Sequence, residues 1–294
     1  MTKHRVGKDK EGEKNCGCGL EGFLSDRFRK MVEESSRFEK DPDDPETLHR
    51  FRTSIRRFRS MLGFLGPLCT GSPDRLDLLR REMKPFYRLL GGIRERDVLH
   101  ADWNVLRPSL PDPWKSLVFP FGADRDRLRS IPAGPAMPVM TSLFDEVRLS
   151  FRSGLPDSVR FIASFVRKRL DRLDERIIKG GKSWDSLDPT GRHKLRIEVK
   201  NFSDVFDVAR ILSPHRVDPY FKHEIGRIKA LLGGIHDRDR AFVLLSGFLE
   251  DPDPRRSVPA GMLLGWYSER GKAQEERFLR AGRRYRRLRR PWQA

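Results

Sequence analysis

A chain of 294 residues with 37% apolar and 35% charged side chains suits one large folded domain or two of ordinary size. Lys and Arg number 60 against 42 Asp and Glu, a formal charge of +18 that repels itself in the compact state and draws polyanions. No run approaches the roughly 18 consecutive apolar residues of a membrane span. "MTKHRVGKDKEGEKN" lacks the apolar region of a secretory leader, and Cys16, Cys18 and Cys69 make no disulfide framework, so a reducing cytoplasm is the expected setting.

Residues 1–15 are polar and read as a disordered tail. Cys16-Gly-Cys18 has no second ligand pair, so no metal or other cofactor is expected. From about Leu20 apolar residues recur at spacings of three and four, the helical period. "DPDDPETL" breaks this pattern and offers caps to a helix from about Glu46 to Leu65. A further helix is expected from about Asp74 to Leu90, stopped by Gly91-Gly92. Trp103 to Pro138 is rich in Pro and Gly and reads as loops with short helical pieces.

Helical pattern resumes at about Thr141 and again in "SVRFIASFVRKRLDRLDERIIK". "WDSLDPT" supplies a turn before a helix from about Gly191 to Leu212. "PYFKHEIGRIKALL" forms the next, stopped by Gly233-Gly234. The last runs from about Met262 to Arg290, with eight arginines between Arg277 and Arg290. No segment shows sustained period-two alternation. The chain reads as all-α.

Two blocks recur in the same order. "HRFRTSIRRF" (49–58) matches "HKLRIEVKNF" (193–202), and "RLLGGIRERD" (88–97) matches "ALLGGIHDRD" (230–239) at seven of ten positions. Such order at nearly equal offsets reads as an internal duplication. At about 100° per residue, His49, Arg52, Arg56 and Arg59 fall within an arc of roughly 80°. Phe51, Ile55, Phe58 and Leu62 take a different arc, suited to a core. His193, Arg196 and Lys200 repeat the first stripe, and Leu195, Val199, Phe202 and Phe206 the second. Like charges four residues apart oppose the helix by a few tenths of a kcal/mol per pair, so an external anion is expected to offset them. After the glycine pairs come Arg94 and His236, then Arg96 and Arg238, among acids at Glu95, Asp237, Asp97 and Asp239. A helix starting there would offer free N–H groups to an anion.

These residues resemble the CHAD family, the conserved histidine α-helical domain, whose hallmark is a doubled H-x-x-R-x-x-x-[RK]. The first motif stands as His49, Arg52, Arg56, Arg57 and Arg59, and the second as His193, Arg196 and Lys200. The resemblance covers about residues 20 to 294. It implies two antiparallel helical bundles related by a pseudo-two-fold around a basic central groove, with halves at about 20–150 and 155–294 of a domain spanning 16–294. It also implies binding of inorganic polyphosphate and association with polyphosphate granules, without catalysis. Arg94, Arg96, His236 and Arg238 join the expected ligand set. The chain departs from the family at Ser203-Asp204, where Arg-Tyr is usual, and the short segment ahead of the helices leaves no room for a triphosphate-processing domain.

Two other classes compete with this reading. Nucleic-acid binding is supported by charge and the Arg-rich last helix, but there is no helix-turn-helix or aromatic RNA-binding signature. A phosphoryl-transfer enzyme using the repeated histidines would need a phosphate loop or metal motif that the sequence lacks.

Overall fold

The computed structural model describes residues 6–68, 73–119, 133–154, 159–212 and 218–293, with the backbone alone for 6–19, 133–136, 150–154 and 159. Eight α-helices and no strand occur among the described residues: α1 (Val6–Lys40), α2 (Pro45–Leu65), α3 (Pro73–Leu106), α4 (Ala133–Gly154), α5 (Val159–Lys182), α6 (Pro189–Leu212), α7 (Pro219–Leu245) and α8 (Pro254–Arg287).

An Asp-Pro dipeptide opens four of these helices. Proline fixes the first helical φ where no N–H is needed, and the aspartate before it caps the free donors. The Asp44 carboxylate accepts from the backbone N–H groups of Glu46 and Thr47, at 3.0 Å each. Asp188 accepts from Gly191 N–H at 2.7 Å, Asp218 from Tyr220 at 2.9 Å and Asp253 from Arg255 at 3.0 Å.

Packing closes two rings. α1 packs on α2, α2 on α3, α3 on α4 and α4 back on α1, and α5, α6, α7 and α8 close a second ring in the same order. The rings meet through α2 against α6 and α3 against α7, with further contacts from α1 to α5 and α6 and from α3 to α8. This is the all-α pair of bundles expected. The anticipated core faces are buried: Phe51, Ile55, Phe58 and Leu62 on α2, and Leu195, Val199, Phe202 and Phe206 on α6. One apolar cluster runs through both rings. A smaller one forms where α3, α7 and α8 converge around Trp103, Leu245 and Leu263.

Several expectations are corrected. The glycine pairs end nothing: α3 runs through Gly91-Gly92 to Leu106, and α7 through Gly233-Gly234 to Leu245. A helical glycine costs about 1 kcal/mol against alanine, which packing on both flanks outweighs. At Gly234 a Cβ would fall 2.6 Å from the Gln274 amide nitrogen of α8, a flexible side-chain end that would have to shift, while Gly92 and Gly233 face open space. The helix starts once expected after these glycines are therefore absent, and with them the free N–H groups. α1 begins at Val6, so residues 6–15 continue its helix as a Lys- and Glu-rich segment, both good helix formers, in place of a tail. Trp103 lies in α3 and is buried, so the loop region begins only after it. The first five residues, Cys69, the side chains of Cys16 and Cys18, and the Pro-rich stretch 120–132 lie outside the described residues.

Candidate functional site

Where α2 meets α6 and α3 meets α7, the four helices enclose a cavity of about 140 Å³. His49 and Arg52 enter from α2, Arg94 and Glu95 from α3, Arg196 from α6, and His236, Asp237 and Arg240 from α7. The local cause is the stripe geometry. Each of α2 and α6 turns its apolar arc into its own bundle, which leaves the adjacent cationic arc at the seam between bundles.

Few of these cations are neutralised. Arg240 donates to both oxygens of Glu95, at 3.1 and 2.7 Å, clamping α7 to α3. Arg56 donates to Asp204 at 2.9 Å, across the α2–α6 contact. Arg52 lies over the Tyr87 ring at 4.8 Å and reaches its hydroxyl at 3.4 Å. Nδ1 of His49 and Nε of Arg52 and Arg196 are buried without a hydrogen-bond partner among the described residues. Buried polar atoms are nearly always paired in folded proteins, so this cluster marks a place for a ligand or ordered water.

Titration behaviour follows from the crowding. Burial, then Arg196, Arg56 and Arg52, push Lys200 down to about 7. Burial pushes His236 down to about 3, with Arg196 and His193 adding to it. His49 is lowered by burial and then by Arg94, and His193 by burial and then by Arg196. Burial raises Asp237 despite Arg196 beside it. Desolvation and like charge act together here, and both favour the less charged protein. An entering anion reverses the second effect.

The sequence-derived residues divide into two groups. His49, Arg52, Arg94, Arg196 and His236 line one cavity, Lys200 and Arg56 are electrostatically coupled to it, and His193 Nδ1 lies 3.3 Å from His236 Nδ1. Arg57 is exposed beyond Arg56, coupled to Arg27 of α1. Arg59 stacks over Tyr87 at 5.3 Å beside Arg80 and Arg88, outside the cavity. Arg96 does not line the cavity. Arg238 is turned away to Glu275 and Asp239, at 2.6 and 3.0 Å.

Sequence reasoning missed Arg240, Tyr87 and Lys229. Arg240 stands where the first repeat has Val98, so comparing the repeats hid it. Its spacing of four from His236 was the available signal. Lys229 of α7 is coupled to Arg57 and Arg56, extending the cationic row past the cavity. Asp204, which departs from the family pattern, supplies the carboxylate that holds Arg56.

Among the described residues no group of three or more His, Cys, Asp or Glu is placed to hold a metal ion, and no helix is long and apolar enough to cross a membrane. No curated protein matches the sequence. Solved structures share the fold, two of them as follows. The crystal structure of the CHAD domain from the plant Ricinus communis superposes with a TM-score of 0.68 at 18% identity, covering 93% of this chain and 92% of that one. PptA from Streptomyces chartreusis superposes with a TM-score of 0.58 at 16% identity, covering 90% and 98%. The family model for the CHAD domain matches residues 23–246, from α1 to the end of α7 and thus all four helices of the cavity, so the chain belongs to the CHAD domain family.

Proposed function

We propose that this protein binds inorganic polyphosphate in the cleft between its bundles without catalysing a reaction on it, and that it associates in the cytoplasm with polyphosphate granules. The observation that carries this reading is the convergence of two cationic stripes, one from each bundle, on a single cavity. His49, Arg52, Arg94, Arg196, His236 and Arg240 line it against two acids, Glu95 and Asp237, and Glu95 is already engaged by Arg240. Guanidinium groups make charge-assisted, often bidentate contacts to phosphate oxygens. A flexible phosphate chain can enter a narrow seam and continue along Arg56, Lys229 and Arg57. Duplex DNA is too wide and stiff to do so and meets only outer arginines.

The test is reciprocal competition at fixed salt, counted per phosphate. Affinity should rise with polyphosphate length until both stripes are spanned, and long chains should displace duplex DNA far better than DNA displaces them. Arg52→Glu with Arg196→Glu should weaken polyphosphate binding by at least about a hundredfold, as loss of two charge-assisted contacts predicts. Equal competition by DNA, with no dependence on chain length, would promote nucleic-acid binding instead.

A further inference from the structure

A second cavity, of about 250 Å³, opens between α5, α6 and the 3-10 turn Pro291–Gln293 that follows α8. Its interior is apolar: Val166 and Leu170 of α5, Phe206 of α6 and the indole of Trp292 are all buried and line it. The indole is fixed, because Trp292 Nε1 donates to Asp171 at 2.9 Å and the ring meets Phe206 edge-on at 6.2 Å. Three arginines form the rim. Arg160 and Arg167, two turns apart on α5, are exposed and make no ion pair among the described residues, and Arg210 of α6 touches Asp207 at 3.6 Å. Among the described residues no carboxylate lines this cavity.

We infer that this cavity is a binding site for a small anion with an apolar body, of the class of medium-chain acyl carboxylates. An apolar pocket with a few convergent polar groups is the usual form of a small-molecule site. The volume admits a body on the order of ten non-hydrogen atoms, too small for a lipid with two chains. The chemistry of the mouth selects the head group. Arg160 and Arg167, with no lining acid among the described residues, would repel a cationic amphiphile, while a carboxylate at the mouth could be shared between them, beside Arg210, which Asp207 partly engages. Its chain would then lie along Leu170 and Phe206, removing apolar surface from water on both partners. The site is separate from the central cleft. Arg210 lies fourteen residues beyond Arg196 on α6, about 21 Å by helix rise, and the two cavities share no lining residue.

The experiment is calorimetric titration of the whole protein with octanoate, 1-octanol and octylammonium. Octanoate should bind more tightly than 1-octanol by about tenfold, the worth of one or two charge-assisted contacts, and octylammonium should be the weakest. Arg160→Glu with Arg167→Glu alters exposed side chains only, and should remove the preference for octanoate while leaving 1-octanol within about twofold. Arg52→Glu with Arg196→Glu should leave octanoate binding unchanged, which keeps this outcome independent of the polyphosphate reading. Ala209→Trp should block all three ligands by filling the cavity. Equal binding of the three ligands, survival of the octanoate preference in the α5 double variant, or no octanoate binding at millimolar concentration overturns the proposal.

Discussion

Lys200 shows how far a residue's chemistry depends on neighbours from the other half of the chain. In sequence it is the third member of the second stripe, matched to Arg56. In the fold, burial in the seam, then Arg196 of its own helix and Arg56 and Arg52 of the first bundle, push it down to about 7. Above that pH the free protein therefore carries it neutral, and a bound phosphate chain must raise its pKa. Binding then takes up a proton between about pH 7 and the higher pKa of the complex, so affinity falls as pH rises through that window. His49 and His193, also lowered, add uptake at lower pH. Titration in buffers of different ionisation enthalpy at pH 8 should detect this uptake, and Lys200→Arg should abolish it with little loss of affinity. Unchanged uptake in that variant removes the assignment. The stripe positions were legible because they are local and periodic. The shift at Lys200 was not, since it needs burial in the seam and, beyond its neighbour Arg196, Arg56 and Arg52 from more than a hundred residues away in sequence.

At the level of helices, what could be read was whatever one helix settles alone. Asp-Pro starts and apolar arcs are local, and they placed α2 and α6 to within a few residues. The glycine pairs misled because glycine, common at helix ends, is also tolerated within a helix that tertiary packing holds, and only the packing distinguishes the two. Arg240 was hidden by its apolar counterpart Val98, although it forms the clamp between α3 and α7. That clamp makes opposite demands on stability and binding. Its partners are both about one-third exposed, so the pair contributes about 0.5–1 kcal/mol after solvent screening. Glu95→Gln should lower the melting temperature by about 2 °C. It should also free Arg240 and remove an anion from the cavity wall, tightening polyphosphate binding several-fold. Thermal unfolding and titration of the same variant check both signs, and weaker binding would show that Glu95 positions Arg240 for the ligand.

The cleft belongs to the whole molecule, because neither bundle has it alone. Each supplies one stripe, and the apolar cluster that holds the stripes face to face runs through both bundles. The C-terminal turn adds to the docking of the second: Arg290 and Tyr285 converge on Asp174, at 2.9 and 2.6 Å, and Trp292 packs on Phe202 and Phe221. The duplicated motif suggested two stripes but could not say that they face one another, which is a matter of how α2 crosses α6. A shared cleft has a measurable consequence in salt. Each phosphate neutralised releases condensed counterions, and for a flexible single chain log K falls with log salt at about 0.7 per contact. If Arg52 and Arg94 from one bundle and Arg196, Lys200 and Arg240 from the other act on one chain, with Arg56 partly engaged by Asp204, the slope should be about −3.5 to −4. Replacing Arg52 and Arg94 by Gln, or Arg196 and Lys200 by Gln, should each flatten it by about 1.4. Changing Arg286 and Arg287 at the end of α8 should leave it within about 0.3 of the original. A slope that follows α8 and ignores both stripes would place the polyanion on the outer surface of the second bundle and leave the cleft without a part in binding.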